Sequence, residues 1–247
     1  MSVSELSAST QNYLKVIWSL TEWSDAPVTA KSIAVKSGLK LSSVSDAIRR
    51  LSTQGLLTHA PYGAVELTEA GRAGALAMVR RHRLIETFLV ETLGYRWDQI
   101  HDEAENLEHA VSDFMVERID ELLGSPQRDP HGDPIPARDG AVTRPDAVLL
   151  TQIEPGSQVL VERISDADPQ LLQFFRERGV VPGVCLEVGE GQPYSGAIAL
   201  TPVTEASAAV AAGADAAVAP EAAGPESAAP VELGRAAAEA VYVSLQS

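Results

Sequence analysis

Residues 29–55, TAKSIAVKSGLKLSSVSDAIRRLSTQG, decide the fold of this chain. Thr29 is an N-cap residue type, residues 30–36 form a short helix, and Gly38 supplies the turn that ends it. Leu41-Ser42-Ser43 then leads into a second helix over 44–54, closed by Gly55. A short helix, a glycine turn and a longer helix make the helix-turn-helix plan. In the second helix Val44, Ile48 and Leu51 recur at helical spacing and face a core. Ser42, Ser43, Ser45 and Asp46 are left to face base edges in a major groove, with Arg49 and Arg50 nearer phosphate.

The flanking residues complete a winged helix-turn-helix. Residues 9–22 carry Tyr13, Leu14, Ile17, Trp18 and Leu20 on an amphipathic helix. Residues 56–59, the turn Pro61-Tyr62-Gly63 and residues 64–68 read as a β-hairpin, the wing. Tyr62, in that turn, joins the candidate DNA-contacting residues.

Residues 101–109, HDEAENLEH, add a different chemistry. On a helix His101, Glu105, Glu108 and His109 stand at i, i+4, i+7 and i+8, which stacks them on one face. Carboxylates and imidazoles converging there suit a divalent cation of intermediate hardness, whereas thiolates favour zinc, copper(I) or iron–sulfur chemistry. A solvated helix with scattered acids gives the same spacing. His82 and Glu86, within RRHRLIETFL at 80–89, repeat the i, i+4 pattern beside the apolar stripe Leu84, Phe88 and Leu89. They read either as the second half of a two-helix metal pocket or as a histidine held by a neighbouring carboxylate.

Charge divides along the chain. The net charge is −15, which by itself argues against nucleic acid, yet residues 1–83 carry 10 Lys/Arg against 6 Asp/Glu and residues 84–247 carry 9 against 28. A basic front on an acidic back fits a DNA-contacting module followed by something else. No 18-residue apolar run offers a membrane span, and the first residues lack the basic and apolar regions of a signal peptide, so the expectation is a cytoplasmic protein. The one cysteine, Cys185, sits in the strand-like run Val184-Cys185-Leu186-Glu187-Val188, where a small buried thiol is the default. A hydrolytic metalloenzyme is the rival class. It needs an open coordination position, a general base and a substrate pocket, and neither a phosphate-cradling glycine loop nor a nucleophile–base set is legible.

Tyr13-Leu14-Lys15-Val16-Ile17-Trp18, the hairpin ending in Leu67-Thr68, His82-Arg83-Leu84-Ile85-Glu86, His101-Asp102-Glu103-Ala104, Glu108-His109 and Asp129-Pro130-His131-Gly132-Asp133-Pro134-Ile135-Pro136 follow one another in a known order. On these residues the chain resembles the diphtheria toxin repressor family of metal-activated transcription regulators, and looks most like its actinobacterial, manganese transport regulator-like branch. The resemblance covers nearly the whole chain. It implies a mainly α chain with β structure: a winged helix-turn-helix domain at 1–75, a helical dimerisation and metal domain at 76–140, a linker at 141–155, and an SH3-like small β-barrel at 156–247.

The resemblance also implies a primary metal site of Glu105, Glu108 and His109 with a first-helix ligand at Asn12. Iron-type members carry Cys at the position of Glu105 and Met on the first helix, and manganese-type members carry Glu and Asp, so Mn(II) is the implied corepressor and Fe(II) the alternative. Asn12 departs from both patterns. An amide carbonyl can coordinate a hard cation but lacks the charge, which implies a weaker site or compensation by a neighbour. An ancillary site is implied at His82, Glu86 and His101, with a C-terminal carboxylate near Asp168, while Leu171 falls where iron-type members have a Gln ligand. The implied function is a metal-dependent repressor that binds double-stranded operator DNA as a homodimer, has no membrane partner, and controls metal-ion homeostasis genes. Ala110, Val111, Phe114, Met115 and Ile119 form either the dimer-facing stripe or an intradomain core.

In the tail, residues 156–164, 184–188, 196–200 and 240–244 are short strand-like runs consistent with a small barrel. The Ala/Glu/Gly/Pro segment 204–230 has almost no branched apolar residues and reads as a disordered insertion in a barrel loop.

Overall fold

Side-chain caps fix where the first helices begin. In the computed structural model, which describes residues 3–59, 63–192, 194–203 and 230–246, helix α1 (Ala8–Glu22) opens on Ser7, whose side chain accepts from Thr10 N. Helix α2 (Ala30–Ser37) opens on a capping box: Ser32 N donates to Thr29 Oγ1 at 3.1 Å and Thr29 N to Ser32 Oγ at 2.8 Å. Gly38, at φ 68°, closes it. Helix α3 (Leu41–Thr53) starts earlier than the sequence predicts. Its hydrogen-bond ladder begins with Val44 N to Lys40 O at 3.1 Å, and Ser45 turns its hydroxyl back onto Leu41 O. The serines that look like cap and turn residues are therefore inside the helix.

One core joins these helices to the wing. Val44, Ile48 and Leu51 of α3 pack with Tyr13, Leu14, Ile17 and Trp18 of α1, Ile33 of α2, and Leu57 and Val65 of the hairpin. Strands β1 (Leu57–His59) and β2 (Val65–Leu67) pair antiparallel, Leu57 opposite Leu67. The loop residues 60–62, with Tyr62, lie outside the described residues. Helix α4 (Glu69–Glu91) follows, and Ala75, Leu76 and Val79 belong to the same core. Packing therefore does not break at the expected 75/76 boundary, because the buried face of α4 completes the winged-helix core.

The chain divides into two compact units, Met1–Ile85 with Ala104–Pro126 and Ile135–Val142, and Glu86–Glu103 with Gln127–Pro134 and Thr143–Ser247. The divisions fall inside α4 and inside α5 (Ile100–Leu107). In the first unit α6 (Asp113–Leu122) is capped by Ser112, buries Val116 and Ile119, and leaves Phe114, Met115 and Leu122 exposed. Ile119 is thus a core residue, while Phe114 and Met115 of the same candidate stripe face outward.

The second unit is built on an antiparallel sheet in the order β3-β8-β4-β5-β6-β7, from β3 (Val148–Leu149), β4 (Gln158–Ile164), β5 (Cys185–Glu190), β6 (Ile198–Pro202), β7 (Val231–Leu233) and β8 (Val241–Leu245). Helix α7 (Pro169–Glu177) contributes Leu172 and Phe175 to its buried residues, and a short α8 (Arg235–Ala238) precedes β8. Strand β3 and the buried Leu150 lie within the expected linker, because Val148 and Leu149 pair with β8. Strand β4 buries both Glu162 and Arg163, although alternation along a strand would turn one of two neighbours outward. The register with β8 shifts between Val161 and Arg163, which breaks the alternation there, and each charge finds a counter-charge: Glu162 with Arg128 and Arg163 with Asp133, both at 2.6 Å. Segment 204–229 of the expected insertion lies outside the described residues. Among the described residues no helix is long and apolar enough to cross a membrane.

Candidate metal centres and nucleic-acid interface

The helix-turn-helix presents its polar face as the sequence predicts. Ser42, Ser43, Ser45, Asp46, Arg49 and Arg50 are all exposed, and Val44, Ile48 and Leu51 are buried beneath them. Arg49 pairs with Asp46 at 3.3 Å, one turn apart in water, and Arg50 Nη2 reaches Ser9 Oγ at 3.5 Å. Both guanidiniums are thus held near the helix surface while remaining accessible to phosphate.

The ligand stripe of residues 101–109 is divided. Helix α5 ends at Leu107; Glu108 still donates its backbone N–H to Ala104 O at 2.9 Å, and His109 lies in the turn beyond. His101 belongs to the second unit, whereas Glu105, Glu108 and His109 belong to the first.

In the first unit His82, Glu105 and Glu108 bring ligand atoms within 4.8 Å of one another. His82 Nδ1 is 2.6 Å from Glu108 Oε2. Lys15 of α1 lies among them: its Nζ donates to Glu105 Oε1 at 2.5 Å and Glu108 Oε1 at 2.6 Å, and lies 3.4 Å from His82 Nδ1. Glu108 has no solvent exposure. Burial pushes its carboxyl up, but the hydrogen bond and charge of His82, with the charge of Lys15, outweigh this and hold it below its ordinary value.

His109 is oriented by a residue that the sequence reading passes over. Gln11 donates its amide nitrogen to Val3 O at 2.7 Å and Leu6 O at 3.2 Å, so its Oε1 faces His109 Nδ1, 2.7 Å away. An amide oxygen can only accept, so Nδ1 donates to it and Nε2 is the nitrogen left over. That Nε2 is buried without a hydrogen-bond partner, and so is Asn12 Oδ1. His109 Nε2 lies 3.6 Å from Glu108 Oε1. An unpartnered imidazole nitrogen 3.6 Å from a buried carboxylate fits a divalent cation, and Asn12 supplies a further buried amide oxygen in the same unit.

The second unit holds a second cluster. Glu86, Asp129 and His131, all buried, bring ligand atoms within 4.8 Å of one another. His131 stacks on Trp97 and its Nε2 lies 2.9 Å from Trp97 O, while its Nδ1 is buried without a hydrogen-bond partner. Burial would push the His131 imidazole down, but the carboxylates of Glu86, Asp129 and Asp166 outweigh it and raise its pKa. His101 Nδ1 lies 3.4 Å from Asp166 Oδ2 and 3.6 Å from Glu86 Oε1, and hydrogen bonding to these carboxylates, Asp166 first, raises its pKa to about 10. Surroundings that hold a proton this firmly also suit a divalent cation, which displaces it.

Asp168 is not in this cluster. Its Oδ1 caps α7, accepting from Gln170 N at 2.9 Å and Leu171 N at 3.3 Å, with Pro169 at the first helical position. Asp166, two residues earlier, is the carboxylate that faces His101. Lys15, Gln11, Asp129, His131 and Asp166 are the site residues that sequence reasoning missed. A signal existed for two of them, since Asp-Pro-His-Gly-Asp places an imidazole between two carboxylates around a glycine. Lys15 was hidden by its type, because lysine is not a ligand residue.

Comparison with known proteins agrees with this architecture. Residues 5–65 match the iron dependent repressor N-terminal DNA binding domain, residues 68–137 the iron dependent repressor metal binding and dimerisation domain, and residues 148–202 the FeoA domain. The iron-dependent repressor IdeR of Mycobacterium leprae (strain TN) is 34% identical over 213 residues, which covers 81% of this chain and 91% of that protein. A solved manganese-dependent transcriptional repressor in complex with manganese is 47% identical with a TM-score of 0.82, covering 96% of this chain and 100% of that one. The manganese regulator SloR is 29% identical with a TM-score of 0.71, covering 96% and 98%. By these matches and by its winged helix-turn-helix, helical domain and FeoA-type, SH3-like domain, the chain belongs to the iron-dependent, or diphtheria toxin, repressor family of metal-dependent DNA-binding transcriptional repressors.

Proposed function

We propose that Mn(II) is the corepressor of this chain and that two copies with Mn(II) bound grip a partly palindromic operator that controls metal-homeostasis genes. The observation that carries this reading is the donor set around α1. Asn12 Oδ1, Glu105, Glu108 and the Nε2 of His109 are oxygen and imidazole donors, and the chain's one cysteine, Cys185, is in β5 of the other unit. Oxygen-rich donors with imidazole suit Mn(II), whereas thiolate would shift preference toward softer metals. The likeness to a manganese-dependent repressor at 47% identity supports the same choice.

A divalent cation held there supplies charge that Asn12, the half-buried Glu105 and the buried Glu108 share. The chain's own residues do the rest. Asn12 is on α1, which packs in the core of the helix-turn-helix, and Glu108 and His109 follow α5, so ligation holds the DNA-binding helices in one arrangement. Free energy of ligation then shifts population toward the arrangement that fits successive major grooves. The second site takes Glu86, Asp129 and His131, with His101 and Asp166 alongside. Phe114, Met115 and Leu122, exposed on α6, form the apolar face that a second copy covers, and the cell interior is where such a regulator works.

Fluorescence anisotropy of operator fragments at fixed salt, with chelator and then anaerobic Mn(II) or Fe(II), tests the proposal. Mn(II) is expected to tighten binding tenfold or more, about 1.4 kcal/mol of coupling, and Glu108→Ala to abolish the gain. A response to Fe(II) with none to Mn(II) would move the chain to the iron branch, whose members are its 34%-identical relatives.

A further inference from the structure

We propose that Lys15 is a resident cation of the first metal cluster: its ammonium fills one cation position among His82, Glu105 and Glu108, ties α1 to the end of α5 without metal, and leaves room for a single divalent ion on the Asn12–His109 side. The geometry carries this. Nζ touches Glu105 Oε1 and Glu108 Oε1 at 2.5 and 2.6 Å and stands 3.4 Å from the His82 imidazole. Those same three side chains otherwise satisfy the spacing of a metal site. A divalent ion bonded to both carboxylate oxygens sits about 2 Å from each, so it and the ammonium would crowd the same oxygens with like charge. One of them must go, and the tethered one is already in place.

Two buried atoms of the same unit are left outside the lysine's set of partners. Asn12 Oδ1 and His109 Nε2 are buried without hydrogen-bond partners, so Lys15 hydrogen-bonds to neither. Asn12 stands one turn before Lys15 on α1, so the helix offers an amide to one cation position and an ammonium to the other. This arrangement has a regulatory consequence. Glu108 is fully buried, and with Lys15 beside it the carboxylate has a counter-charge even in metal-free protein. Lys15 thus links α1 to the end of α5 by its own charge, and the metal binds a cluster whose negative charge is partly cancelled. The partly cancelled charge raises the metal concentration at which repression switches.

This inference rests on the first cluster being a metal site, and its test reads metal binding and stability rather than repression. Full-length wild type, Lys15→Met and Lys15→Glu are compared by Mn(II) equilibrium dialysis with elemental analysis, and by thermal melting in chelator. Lys15→Met is expected to melt several degrees lower in chelator and to recover with Mn(II). Lys15→Glu is expected to bind one more Mn(II) per chain than wild type, or to bind the same ions tenfold more tightly. Equal stoichiometry and affinity in all three proteins overturn the proposal. Should the variants not fold, reductive methylation of wild type with mass spectrometry decides: Lys15 stays protected with and without Mn(II) while the exposed Lys31, Lys36 and Lys40 are modified. Modification of Lys15 once Mn(II) is added would show that metal evicts it, and the proposal fails. If Lys15→Glu gains an ion while DNA affinity ignores metal, the resident-cation inference stands and the corepressor reading falls.

Discussion

His131 donates its Nε2–H to the carbonyl of Trp97 at 2.9 Å, and the two rings stack with centroids 5.5 Å apart. A backbone carbonyl can only accept, so this bond makes Nε2 the donor and leaves Nδ1, buried without a hydrogen-bond partner, for the cluster with Glu86 and Asp129. The second cluster therefore has a built-in optical reporter. Titrating Mn(II) into wild type is expected to quench Trp97 fluorescence, and His131→Gln is expected to remove that quenching together with one bound ion per chain. Trp97→Phe should remove the signal but keep the ion. Quenching that persists in Trp97→Phe would mean that Trp18 or Trp23 is the reporter and that the second cluster does not load.

His101 gives the metal-free protein a pH dependence of known sign. Asp166 and Glu86 raise its pKa from 6.5 to about 10, so the folded protein holds a proton that the unfolded chain releases. The stabilisation is complete below pH 6.5 and is lost as pH rises toward 10. In chelator the melting temperature should fall over that window, and His101→Ala should flatten the fall. Metal that takes the same imidazole must displace its proton, so calorimetry at pH 8 in buffers of different ionisation enthalpy should report proton release on Mn(II) binding, reduced in His101→Ala. Identical pH profiles for the two proteins would remove His101 from the cluster.

The loop that carries His131 depends on one glycine. Gly132 has φ 90°, and a Cβ there would stand 2.1 Å from Glu162 O, a backbone atom of β4 that cannot move aside cheaply. Ile164 N holds the same loop through His131 O at 2.9 Å. Gly132→Ala is expected to cost about 2 kcal/mol or more, since strain at positive φ adds to the clash. Melting and metal analysis should show a weakened second cluster with the first still loading. A variant that loads both clusters as wild type does would show that the loop tolerates a shift of β4.

Local signals explain which features were legible in the sequence. Thr29, Gly38 and the spacing of Val44, Ile48 and Leu51 act over a few residues, and they specify the helix-turn-helix without the rest of the chain. Periodicity placed His101, Glu105, Glu108 and His109 on a common helical face but could not show that the ladder ends after Glu108 or that His101 turns to Asp166. That outcome depends on residues more than 60 positions away. Asp168 shows the same limit, since Asp-Pro ahead of an apolar run is as good a helix cap as it is a ligand loop, and in the structure its carboxylate caps α7. Lys15 needed the structure most, because its meaning comes from two carboxylates and an imidazole on α4 and around the end of α5.

The recognition helix yields a prediction that separates phosphate from base contact. Arg49 is exposed and its one ion pair, to Asp46 on the same helix, is weak in water. Arg49→Ala should weaken binding to operator and to unrelated DNA by similar factors, and should lower the slope of log affinity against log salt by about 1. Ser43→Ala, near the start of the same exposed face, should leave that slope unchanged and alter the ranking of operator variants instead. Anisotropy titrations from about 50 to 200 mM salt on matched and mismatched fragments measure both quantities. If Arg49→Ala keeps the wild-type salt slope but changes which base is preferred, Arg49 reads sequence, and the phosphate contacts must come from Arg50 and the basic residues of α2.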